Sequence, residues 1–116
     1  MTATTKHPYP PAAVSQAARL LLSLGNGDYP MSQGQLSMDS AVCFSEDVSR
    51  VGHIPLTLLT ETGLVNKPGR WTVPTKAAIE LARELAKAAQ AEAKTTLGRA
   101  GGAARFLDAW LTARSV

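Results

Sequence analysis

The chain predicts a mainly α protein with a small β-hairpin, in the α+β class. Three observations carry this. Alanine-rich segments with apolar residues at helical spacing occupy both ends of the 116-residue chain. Residues 63–81, Gly63-Leu-Val-Asn-Lys-Pro-Gly-Arg-Trp-Thr-Val-Pro-Thr-Lys-Ala-Ala-Ile-Glu-Leu, hold the clearest strand and turn signals. Aromatic residues make up only 5%, so the core rests on Leu, Val, Ile and Ala.

Residues 1–10 read as a disordered or extended lead, held open by Pro8 and Pro10. Pro11 suits the first helical position, and a helix runs to about Leu24. Val14, Ala17, Ala18, Leu21 and Leu22 form its core face. Gly25-Asn-Gly-Asp28 stops it. Tyr29-Pro-Met31 suits a short strand, and Ser32 or Ser37 can cap a weak second helix to about Val42. Ser45-Glu-Asp47 reads as a further helix start, with carboxylates near the positive dipole end. Val48 and Val51 then face the core. Residues 45–62 form either two short helices, about 45–51 and 54–62, or one helix kinked at Pro55. An interior proline costs roughly 3 kcal/mol or more, which favours a break at Gly52-His53.

Gly63 ends that helix in the left-handed conformation, and Leu64-Val65 opens a strand. Pro68-Gly69 fits the centre of a type II turn. Trp71-Thr-Val73 is the returning strand, with Trp71 covering the sheet from inside. Pro74 ends the pairing, and Thr75 caps a long helix to about Leu97. Ile79, Ala82, Leu85, Ala86, Ala89 and Ala93 form its apolar stripe. Glu80–Glu84 and Arg83–Lys87 are like-charge pairs, whereas Glu80–Arg83 and Glu84–Lys87 attract. Gly98 and Gly101-Gly102 read as a flexible break before a last helix, about Ala103 to Arg114. Residues 11–97 thus form one domain, and 98–116 a hinge with an amphipathic helix. Phe106, Leu107, Trp110 and Leu111 make a face too apolar to leave in water. Folding back onto the first helix would cover it. The Gly98–Gly102 break favours instead a dimer contact.

The order of elements now resembles the winged helix-turn-helix superfamily of DNA-binding proteins. The resemblance rests on Leu56-Thr-Leu-Leu-Thr-Glu-Thr-Gly63-Leu-Val-Asn-Lys67 and on Gly69-Arg-Trp-Thr-Val-Pro-Thr-Lys76, and covers roughly residues 11–97. It implies that helix 54–62 enters a major groove while the hairpin, as the wing, lies along the backbone. His53, Thr57 and Thr60 then face outward if Leu56 and Leu59 face the core. Arg50, Lys67, Arg70 and Lys76 become phosphate contacts. The chain departs from the pattern in one respect. Between Pro55 and Thr62 there is no Arg, Lys, Asn or Gln for bidentate base reading, and Glu61 is acidic.

The net charge of +3 suits a polyanionic partner but is spread thinly. Cys43 is the sole cysteine and reads as a small buried hydrophobe. With His7 and His53 it makes no four-ligand metal site, so no metal or cofactor is expected. No nucleophile–base grouping or phosphate loop points to an enzyme. No apolar run reaches membrane-spanning length and no apolar leader is visible, so a cytoplasmic or nucleoid-associated protein is expected. The expected partners are double-stranded DNA and a second copy of the chain. The rival expectation is a winged-helix module for protein–protein contact.

Overall fold

The computed structural model describes residues 7–67, 69–92 and 95–114. Among them are five helices: α1 (Pro11–Gly25), α2 (Met38–Val51), α3 (His53–Glu61), α4 (Lys76–Glu92) and α5 (Thr96–Arg114). Two antiparallel hairpins pair β1 (Met31–Ser32) with β2 (Gln35–Leu36), and β3 (Val65–Asn66) with β4 (Val73–Pro74). The α+β class holds.

Helix α1 starts where the proline chemistry demands. Pro10 is extended and Pro11 fills the first helical position. Val14, Ala17, Ala18, Leu21 and Leu22 are all buried. The helix lies against α4 and α5, and its other contacts reach α3 and α2. At its end the approach to α4 is closest: a Cβ on Gly25 would lie 2.2 Å from the carbonyl oxygen of Ala82.

Residues 29–51 depart from the sequence reading. Met31–Ser32 pairs back on Gln35–Leu36 through the two-residue turn Gln33-Gly34, with φ of 54° and 78°. Two successive left-handed residues are the requirement of a type I′ hairpin turn. One helix, α2, then replaces the two predicted ones. Ser37 caps it, accepting from the Ser40 N–H at 3.2 Å, and the Ser40 hydroxyl donates to Pro30 O at 2.8 Å. Ser45-Glu-Asp47 therefore sits mid-helix rather than at a helix start. Phe44 and Val48 fill the core side, while Val51 is half-buried. Phe44 meets Tyr29 edge-on at 5.4 Å. Cys43 is exposed, so the buried reading of it is corrected.

The break before α3 falls at Gly52, whose φ of 100° few other residues adopt. Pro55 lies in the first turn of α3, where its missing N–H breaks no helical bond. Gly63 and Leu64 close α3 in a Schellman motif, donating to Thr60 O at 3.1 Å and Leu59 O at 2.9 Å. Thr75 joins this stop to the next start. Its hydroxyl donates to Gly63 O at 2.8 Å and accepts from the Ala78 N–H at 3.2 Å. The second hairpin is shorter than predicted: Val65 pairs with Pro74 and Asn66 with Val73. Pro74 is thus inside the pairing rather than beyond it, and Trp71 is half-exposed in the loop rather than inside the core. The predicted Pro68-Gly69 turn includes Pro68, outside the described residues.

The C-terminal half also differs. The predicted helix to Leu97 is two helices, and Ala93 lies outside the described residues. Ile79, Ala82, Leu85 and Ala89 are buried as expected. Gly98, Gly101 and Gly102 lie inside α5 and form no hinge. Ala103, Leu107 and Leu111 make an i, i+4 row buried against α1 and α4. Residues 98–114 therefore pack into the same core, and 115–116 lie outside the described residues. The lead is also anchored from residue 7. His7 is buried and donates from Nε2 to Asp108 Oδ1 at 2.6 Å, while its Nδ1 accepts the Tyr9 N–H at 3.2 Å.

Candidate nucleic-acid interface

Helices α2 and α3 meet at Gly52, and the β3–β4 hairpin follows α3 directly. A polar bond ties the hairpin to α2: the Thr72 N–H donates to Ser45 Oγ at 2.9 Å. A cleft of about 310 Å³ lies along this join, lined by Ser45, Glu46, Ser49, Lys67, Arg70 and Trp71 among others. Lys67 and Arg70 are exposed and form no ion pair among the described residues. The Arg70 guanidinium lies over the Trp71 ring at 5.3 Å, a cation–π contact that orients the cation.

The other predicted phosphate contacts are distributed. Arg50 lies at the end of α2, with its side chain 76% exposed and 3.7 Å from Asp47. It borders different clefts, shared with Tyr29 and Asp47. Lys76 opens α4 and lines a groove with Gln33, at the tip of the first hairpin, and Asn66, on a strand of the second. Of the predicted phosphate contacts, Lys67 and Arg70 thus line the same cleft.

Helix α3 buries Leu58 and Leu59 completely, and Leu56 is half-buried. His53 and Thr60 are exposed and Thr57 is half-buried. Both threonine hydroxyls donate inward along the helix, Thr57 to His53 O at 2.9 Å and Thr60 to Leu56 O at 2.8 Å. Their donor capacity is spent, which leaves an oxygen lone pair and a methyl for any outside partner. Ile54, absent from the sequence-derived set, is 51% exposed at the start of the same helix. Ser45, Ser49 and Trp71 were missed as well. Their position in the cleft follows from Ser45 being mid-helix, which its capping propensity concealed.

The acids of this region are largely engaged. Asp47 accepts the Tyr29 hydroxyl, and Glu61 accepts the Tyr9 hydroxyl at 2.6 Å. Burial, then the hydrogen bond and charge of Asp47, hold the Tyr29 phenol above its ordinary range. Tyr9 is pushed up to about 12, by burial first and by Glu61 second. Glu46 remains beside Lys67 and Arg70 in the cleft.

The predicted dimer residues divide. Leu107 and Leu111 are buried within their own chain, which corrects their assignment to a subunit interface. Phe106 and Trp110 are half-exposed, with the Arg114 guanidinium 4.4 Å from the Trp110 ring centre. Among the described residues no group of three or more His, Cys, Asp or Glu side chains could hold a metal ion, and no helix is long and apolar enough to cross a membrane. Comparison with protein-family models, curated proteins and solved structures finds no match to this chain.

Proposed function

We propose that this chain is a small DNA-binding protein, acting as a homodimeric regulator or a plasmid, phage or chromosome accessory factor. The observation that carries the reading is the placement of Lys67 and Arg70. Among the described residues they stand without acidic ion-pair partners, on a hairpin bonded to α2 and continuous with α3. Helix α3 occupies the place of a recognition helix and the hairpin the place of a wing. Each phosphate neutralised releases a counterion and adds about 0.9 to the salt slope. The wing contacts therefore set affinity, with Arg50 and Lys76 as outlying contributors. Base reading by α3 is confined to weak means. Ile54 and the Thr57 methyl suit thymine methyls, and His53 supplies the helix's polar start. Such a protein acts in the cytoplasm or on the nucleoid, without metal, cofactor or catalysis.

A second reading is a winged-helix module for protein–protein contact. The committed hydroxyls of Thr57 and Thr60 favour it, because a face of methyls and Ile54 suits an apolar partner. A mobility-shift titration with mixed genomic duplexes separates the two. Retardation at low salt that falls steeply with added salt supports DNA binding. Lys67→Ala with Arg70→Ala should weaken binding to all sequences alike and lower the salt slope by about 2. No retardation at low salt sinks the first reading, and an unchanged slope removes the hairpin from it.

A further inference from the structure

Between α4 and α5 lies an open groove of about 990 Å³. Its α4 wall carries Glu80, Arg83, Glu84 and Lys87, all exposed and spaced i, i+3, i+4, i+7 on one helix face. Its α5 wall carries the half-exposed Phe106 and Trp110. Two acids and two bases leave the α4 wall without net charge, and the α5 wall adds one base, Arg114, against Trp110. The order along α4 is informative. Read forwards the signs run minus, plus, minus, plus; read backwards every sign is reversed. A row of this kind is complementary to its own antiparallel copy.

We propose that this groove is the surface on which a second copy docks, with the two α4 helices antiparallel about a two-fold axis between residues 83 and 84. Glu80 then faces the partner's Lys87, Lys87 faces the partner's Glu80, and Arg83 and Glu84 face the partner's Glu84 and the partner's Arg83. All four contacts are attractive. Within one helix the same row is a compromise, because Glu80–Glu84 and Arg83–Lys87 are like-charge neighbours four apart. The partner helix supplies one further opposite charge to each of the four. Phe106 and Trp110 lie beside the row and lose their remaining water contact under the partner. The inference rests on the homodimer in the proposed function and is independent of its DNA contact.

Sedimentation equilibrium of the full chain over a concentration series tests the register. Arg83→Glu should weaken the dimer about tenfold or more, since the two-fold axis turns two attractive contacts into two like-charge ones. Arg83→Glu combined with Glu84→Arg restores opposite signs and should restore the dimer. Glu80→Lys, and Glu80→Lys with Lys87→Glu, form a second such set at the ends of the row. Circular dichroism checks that each exposed-site variant stays folded. A dimer untouched by both single reversals, or one not rescued by either paired reversal, overturns this surface and leaves the homodimer standing. A wild-type chain that remains monomeric across the series overturns the surface and the homodimer together. Mobility shifts on the same samples report separately on DNA binding.

Discussion

The two halves of this molecule share one apolar core but differ in what sets position within it. Around α1, α4 and α5 the contacts are made by small and aliphatic residues: Ala17, Ala18, Ala82, Ala89, Ala103 and Leu107 are fully buried. Around α2, α3 and the β3–β4 hairpin, single polar bonds set position: Tyr29 to Asp47, Tyr9 to Glu61 and Thr72 to Ser45. The first kind of contact depends on volume and scales with area removed from water. The second contributes little net stability per bond but fixes where a group stands. Both halves contribute to one apolar core, with Phe44, Leu58 and Leu59 fully buried in the second, and there polar bonds also set where Lys67, Arg70 and α3 stand.

That division can be broken from either side. Leu107→Ala empties a fully buried site between α5 and the rest of the core. It should cost about 2–5 kcal/mol in urea unfolding; a loss below ~1 kcal/mol would remove α5 from the core. Gly25→Ala places a methyl against the Ala82 backbone at the α1–α4 crossing. Backbone cannot rotate away as a side chain can, so a cost of about 1–3 kcal/mol and a lower Tm are expected. Ser45→Ala removes the one acceptor for the Thr72 N–H. Its stability cost should be only ~1 kcal/mol, with faster hydrogen exchange at the Thr72 amide and weaker DNA retardation. If stability falls as much as for Leu107→Ala, the distinction between the halves collapses.

The smallest effect sharpens the comparison through pH. The Tyr9 phenol is raised from 10.0 to about 12 in the folded chain. Between those values the unfolded chain releases the proton while the folded one keeps it. The stability from Tyr9 is thus whole below pH 10 and declines as pH rises towards 12. Tyr9→Phe should flatten that part of the alkaline unfolding profile. An identical profile in the variant would detach Tyr9 from Glu61.

Elements with a local cause were legible in the sequence. Pro11 at a first turn, Gly63 at a helix stop and Thr75 as a cap each act within a few residues, and each stands where expected. Elements decided by distant packing were misread. Ser45 has the chemistry of a cap, but α2 runs through it because Phe44 and Val48 are drawn into the core on either side. The glycines of α5 cost about 1 kcal/mol each relative to alanine in a helix interior. Gly102 and Ala103 are buried there, where small residues let helices approach. The Gln33-Gly34 hairpin was missed because Gln33 is an uncommon residue for the left-handed region. At the candidate interface the sequence supplied Lys67 and Arg70. It could not supply the separation of Arg50 and Lys76, which depends on the angle between α2 and α4 rather than on any local pattern.

The bond from His7 to Asp108 has a consequence for how the chain is born. Synthesis delivers α1 before α4 and α5, yet much of the buried face of α1 is covered by those two helices. Helices α2 and α3 cover only part of that face, so the rest stays uncovered until α4 and α5 have left the ribosome. The contact between residues 7 and 108 can close only after residue 108 has emerged. It therefore joins segments 101 residues apart, and its formation reports that α1 and α5 have come together.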